Sequence, residues 1–182
     1  MLTSESDRRL LLRIARDAIV AHVSGHSAAT VDEGGLANRQ EGAFVTLLKA
    51  GQLRGCIGHI EPDRPLPEIV AWCAVAACSR DPRFQPVTAI ELPDLDIELS
   101  LLGALESIAG PSDIEIGRHG LVVEQSWHKG LLLPQVAPEW RWTSEQFLAQ
   151  TCRKAGLPLD AWKKGAQIWR FDAEVFGETL FR

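Results

Sequence analysis

The chain has 182 residues, 46% apolar and 24% charged, with a formal net charge of −5. That is enough for one good core and too little for two independent domains. The negative balance excludes recruitment of nucleic acid or anionic membrane by the overall field, and the longest strongly apolar run, residues 69–78, falls well short of the roughly 20 needed to cross a bilayer.

The opening MLTSESDRRLLLR sets acidic residues and arginines where a secretory leader needs a basic tip and then an apolar stretch, so a cytoplasmic location is expected. Residues 4–23 read as an amphipathic helix: Leu11, Ile14, Ala15, Ala18 and Ile19 recur at helical spacing, and Asp7 with the serines before it gives an N-terminal signal. Residues 24–42 are polar, glycine-containing and aperiodic, and are expected to be the most mobile stretch. A hairpin follows, AFVTLLK (43–49) and LRGCIG (53–58) around Gly51. Residues 68–79 read as a helix entered through prolines, whose alanines suit close packing on a sheet. DPRFQP (81–86) is a loop, after which Ile97, Leu99 and Leu101 alternate with Asp96, Glu98 and Ser100 along a strand.

The order then recurs. GLVVEQ (120–125), a turn over residues 126–130 and LLL (131–133) form a second hairpin; Thr143 and Gln146 box the start of a helix that Gly156 stops. A last strand spans residues 167–176, with Trp169, Phe171, Ala173 and Val175 on one face. The expected fold class is therefore α+β: a single domain over residues 1–182, an N-terminal helix, then two hairpin–helix–strand repeats over about 43–101 and 117–176 sharing a largely antiparallel sheet.

LRGCIG carries the chemistry. In a strand, Arg54, Cys56 and Gly58 share one face and Leu53, Gly55 and Ile57 the other. Two glycines in six residues ask for a close neighbour, either a helix or a ligand beside Cys56. Arg54 would lie roughly 7 Å from the thiol. Its attraction to a thiolate is about 0.6 kcal/mol in water-like surroundings and about 2.4 kcal/mol at an effective dielectric of about 20, so only a partly buried pair makes a useful nucleophile. His59 falls on the opposite face, leaving His119, in a glycine-flanked turn, as the preferred acid/base partner. Arg83 and Arg118 are candidate ligand-binding cations. Trp140 and Trp142, just before the second capped helix, read as core anchors. The four cysteines form no CxxC pair and are expected reduced; with no P-loop, dinucleotide fingerprint or zinc signature, no metal and no cofactor are expected.

LRGCIG, DPRFQPVT, IELSLL, GRHGLVV, GLLLPQVA and KAGLP, in this order, resemble the AMMECR family over about residues 42–178. The resemblance implies two structural repeats sharing one barrel-like sheet, and a chain that is component A of the AmmeMemoRadiSam system, encoded with a Memo-type protein and a radical SAM enzyme. Three readings follow. In the first, Cys56 is a nucleophile or covalent carrier in hydrolysis or group transfer on a small substrate, with Arg54 and His119 assisting. In the second, the chain is a non-catalytic adaptor of that system, Gly55 and Gly58 allowing a small-molecule or peptide ligand to approach the backbone. In the third, Arg54, Arg83 and Arg118 bind a nucleotide or RNA, against which the net charge argues.

Overall fold

The computed structural model describes residues 3–27 and 34–181, so the middle of the stretch expected to be mobile lies outside the described residues. The chain divides into two compact units, one of residues 1–102 with 174–182, the other of residues 103–173.

In the first unit, α1 (Glu5–Ser24) starts where the Ser4 hydroxyl accepts the Asp7 N–H and ends at Gly25, left-handed at φ 71°. Its Leu11, Ile14, Ala15, Ala18 and Ile19 are buried, as their spacing predicts. Beyond residue 33 the polar stretch is tied down: a turn at Gly34–Asn38 buries Leu36, and Arg39 holds Glu41 and the Thr3 hydroxyl. Strands β1 (Ala43–Lys49) and β2 (Gln52–His59) pair antiparallel around Ala50 and Gly51, whose φ values of 51° and 74° match the strand twist. Then come α2 (Leu66–Ser79), with Pro67 in its first turn, and β3 (Leu95–Leu102), antiparallel to β1. The order β2-β1-β3 leaves β2 at the end of the sheet. Both helices share a core with Val45, Leu47, Ile97 and Leu99, on one side of these strands.

The second unit holds β4 (Glu106–Ser107), β5 (His119–Gln125), β6 (His128–Leu132), α3 (Val136–Glu139), α4 (Ser144–Lys154) and most of β7 (Gln167–Gly177). β5 pairs with β6 and with β7, and β4 pairs with β7, all antiparallel. The hairpin turn is shorter than expected, because Ser126 takes a left-handed φ of 57° and β6 already begins at His128. Thr143 and Gln146 cap α4 reciprocally, and Gly156 follows it at φ 75°. These elements are α+β, the expected class.

Two expectations need correction. Trp140 is 67% exposed and stacks on Trp142 at 6.0 Å, and only Trp142 packs on the second core. Along β7 the buried phase changes: Ile168 packs in the second core and Phe176 in the first, while Val175 is largely exposed. A strand serving two cores cannot keep one alternation.

Candidate functional site

The glycines of LRGCIG are set by packing. Gly55 faces α2, and a Cβ there would overlap the Ala77 carbonyl oxygen. Gly58 lies under the ring of Phe44, its register partner on β1, which a Cβ would strike. Ile57 packs on the first core with Gly55's side, so Arg54, Cys56 and Gly58 occupy the face away from α2. His59 lies with α2, its Nε2 2.8 Å from Asp63 Oδ1 and its ring edge-on to Trp72, as alternation predicts.

Cys56 is half-buried, and Thr46, opposite it on β1, donates its hydroxyl to Sγ at 3.3 Å. The outward backbone of this end strand is met by side chains from the DPRF loop. Cys56 N–H donates to Asp81 Oδ2 at 2.8 Å, and Arg83 Nη2 donates to the Cys56 carbonyl at 3.4 Å. Asp81 and Arg83 also pair with each other, Nη2 to Oδ2 at 2.7 Å and Nε to Oδ1 at 2.9 Å. Asp81 is only 4% exposed, yet the Arg83 guanidinium and the Cys56 amide hold its carboxyl down at about 2. A carboxylate and a guanidinium thus do what a neighbouring strand's C=O and N–H would do, and the outer edge of β2 is covered at Cys56.

Arg54 is committed elsewhere than to the thiol. Its Nε and Nη2 grip Glu91 at 3.0 and 3.1 Å, and its Nη1 donates to the Gln85 carbonyl at 2.9 Å. Lys49 joins the same carboxylate at 3.2 Å. Glu91 in turn accepts the Thr88 N–H and caps the turn at Ala89–Asp94, and these contacts, Arg54's first, push its carboxyl well below the ordinary range. The Phe84 ring lies beneath both guanidiniums, 6.0 Å from Arg54 and 5.5 Å from Arg83. Burial pushes the Cys56 thiol up; the Thr46 hydroxyl and Arg83 pull it down less, and Asp81 and Glu98 add to the rise. The cation that acts on the thiol is Arg83, not Arg54.

His119 and Arg118 belong to the second unit. His119 is 6% exposed, with Nδ1 accepting the Glu115 N–H at 2.9 Å. Arg118 Nε donates to Asp172 at 3.0 Å and Nη1 to Glu115 at 3.2 Å, both exposed pairs. Among the described residues no group of three or more His, Cys, Asp or Glu is placed to hold a metal.

Sequence reasoning missed Thr46 and Glu91 as partners of the motif; it placed Asp81 in the DPRFQP loop, where Oδ1 does accept the local Arg83 N–H at 3.1 Å, but not its bond to Cys56. Glu91 had a signal: Thr88 three residues before it makes the S/T-x-x-E box of a capped turn. Asp81 and Thr46 meet the motif only through folding.

Two hairpins, each covered by a helix, and an LRGCIG strand whose edge is covered at Cys56 define a class of α+β proteins. Within that class, the chain belongs to the AMMECR1 family, whose model matches residues 12–176. It is 44% identical over 184 residues to a protein of Methanothermobacter thermautotrophicus, covering 96% of both chains. It is 45% identical over 181 residues to one of Thermococcus onnurineus, covering 92% of this chain and 88% of the other. The crystal structure of uncharacterized protein PH0010 from Pyrococcus horikoshii superposes with a TM-score of 0.89 at 38% identity, covering 96% of this chain and 92% of that one. No helix among the described residues is long and apolar enough to cross a membrane.

Proposed function

We propose that the chain is a non-catalytic partner of a Memo-type protein and a radical SAM enzyme, docking through the surface that LRGCIG and DPRFQP build together. One observation carries this reading: the Arg54 guanidinium and the outward amide and carbonyl of Cys56 are already engaged in holding that surface. Arg54 is taken by Glu91, the Cys56 amide by Asp81 and the Cys56 carbonyl by Arg83, while burial disfavours the thiolate. What the arrangement presents outward is Arg83, with the Phe84 ring beside it, on a loop fixed by ion pairs. A cation and an aromatic ring on a rigid support are the residue types that anchor interfaces.

The test is association of the purified chain with its two neighbours at low salt, by gel filtration and calorimetry. Cys56→Ser is expected to bind as the parent does, whereas Phe84→Ala is expected to weaken binding by about 30-fold, the effect of losing a hot spot. Absence of any complex, or loss of the complex in Cys56→Ser, overturns the reading.

A second reading keeps Cys56 as a nucleophile or carrier. It is favoured by the Thr46 hydroxyl on Sγ and by Arg83, both of which lower the thiol pKa. It requires a thiol that alkylates in the folded protein near neutral pH, and fails if iodoacetamide reaches Cys56 only in strongly alkaline solution.

A further inference from the structure

The charges of the second unit are sorted by end. The tip of the β5–β6 hairpin, the last turn of α4 and the turn at Ala161–Lys163 lie together. A Cβ on Gly130 would strike Ala155, one on Gly156 would touch the His128 ring at 3.5 Å, and the Cys152 thiol lies against the Ala161 and Trp162 backbone. This end holds five of the unit's eight lysines and arginines, Lys129, Arg153, Lys154, Lys163 and Lys164, but only two of its eight acids. Both acids are taken, Glu124 by Lys129 at 3.5 Å and Asp160 by Lys164 at 2.6 Å. Among the described residues no carboxylate pairs with Arg153, Lys154 or Lys163. The other six acids stand toward the opposite end, where β5 starts at His119 against Asp172 and α4 starts with Ser144 bonded to the Ile114 carbonyl.

Helix polarity accounts for part of this, since Arg153 and Lys154 stand at the negative end of α4. It does not account for Lys163, held over the Trp162 ring at 4.7 Å, or for Lys164. Nor does it account for Trp127, which is 87% exposed at the hairpin tip with the His128 ring 5.6 Å away. Gathered cations repel one another, and a partner of opposite charge relieves that repulsion. Tryptophan beside such cations is a residue type that anchors interfaces. The rest of the surface narrows the occupant. A nucleic-acid strand carries a charge on every nucleotide and would run on to the acidic remainder of the unit. A bilayer surface would meet the field of the whole chain, −5. A short protein segment can set a few carboxylates on the cations and one apolar side chain on the indole.

We propose that this end of the second unit docks an acidic segment of another protein, with carboxylates on Arg153, Lys154 and Lys163 and one aromatic or aliphatic side chain on Trp127. The surface is made by the second unit and goes beyond the docking role argued for LRGCIG, so it is tested on the chain alone. The full chain is titrated into a fluorescein-labelled peptide of about ten glutamates and aspartates around one phenylalanine, at about 50 mM salt, and anisotropy is read. A Kd of about 300 μM or tighter is expected, weakening at least about tenfold by about 300 mM salt. The same peptide with glutamine and asparagine in place of the acids is expected to bind at least about tenfold more weakly. Arg153→Gln combined with Lys154→Gln, and separately Trp127→Ala, are each expected to cost about fivefold or more, whereas Arg141→Gln, toward the opposite end, leaves the Kd unchanged. All four side chains are exposed, so these variants keep the fold. No saturable binding up to about 1 mM protein overturns the proposal. So does equal binding of the uncharged peptide, an unchanged Kd in the double variant or in Trp127→Ala, or an Arg141→Gln effect as large as theirs. Tighter binding of an oligouridylate of the same length, or of phosphatidylglycerol vesicles, overturns it as well.

Discussion

The two units build one frame from unlike residues and then use it differently. In each, a hairpin glycine lies against the end of the covering helix: Gly55 against Ala77 of α2, and Gly130 against Ala155, just past α4. In each, a second glycine lies under the ring of its cross-strand phenylalanine, Gly58 under Phe44 and Gly120 under Phe171. The polar residues diverge. The first unit uses Arg54, Asp81, Arg83 and Glu91 to cover a strand edge at Cys56, while the second leaves Trp127 and the cations Arg153, Lys154 and Lys163 exposed at its hairpin end. Shared packing therefore says where a site can be built, and the polar side chains decide whether it is closed or open.

The strongest way to break this comparison is through the glycines. In Gly55→Ala and Gly130→Ala the new methyl meets backbone atoms of the helix end, which cannot rotate away. Each is expected to cost about 3 kcal/mol or more by urea unfolding, and Gly58→Ala and Gly120→Ala about 1–2 kcal/mol, because a phenyl ring can tilt. Equal costs for Gly55→Ala and Gly58→Ala, or for Gly130→Ala and Gly120→Ala, would remove the distinction between helix contact and ring cover.

Acid stability sharpens the contrast between closed and open. Asp81 is held at about 2 against an ordinary 3.8, so between those values the unfolded chain binds the extra proton. Its contribution, about 2 kcal/mol, is complete above about pH 4 and is lost as the pH falls toward 2. Asp81→Asn is expected to be less stable at neutral pH and to show a shallower acid limb. Asp172 of the second unit is also lowered, chiefly by Arg118, but it is largely exposed and screened; Asp172→Asn should flatten the limb much less.

Thiol chemistry is a smaller lever. With the Cys56 pKa above its ordinary 9.0, alkylation in the folded protein is expected to keep accelerating beyond pH 9. Asp81→Asn should raise the rate a few-fold by loosening the DPRF loop. A rate that levels off near pH 7 would reverse the reading of the first unit as closed. The smallest effect is in the turns: Ala50 and Ser126 both hold left-handed φ values, 51° and 57°. Ala50→Asn and Ser126→Asn should each stabilise by about 0.5 kcal/mol in thermal or urea unfolding.

Helices α1 and α4, the alternation of β3 and the two-faced division of LRGCIG were legible because each depends on spacing within a few residues. The partners of the site were not. Asp81 reaches Cys56 across 25 residues and Glu91 reaches Arg54 across 37, and neither distance leaves a local pattern. Placing Arg54 beside the thiol was reasonable from strand geometry, but a bidentate carboxylate within reach outcompetes a half-buried thiol that burial keeps protonated. The phase of β7 was hidden for a different reason: alternation assumes one core, and this strand meets two.

That strand has a consequence for how the chain is made. Phe176 belongs to the first core, Glu174 takes Arg8 and Thr3, and Glu178 takes Arg16 and the Ile97 N–H. Residues 103–173 are therefore inserted into the first unit, not appended to it. On the ribosome the second unit can emerge and close as a continuous segment, while the first waits, with α1 and β3 already synthesised, for the final stretch of chain. The unit that begins first is the one that finishes last.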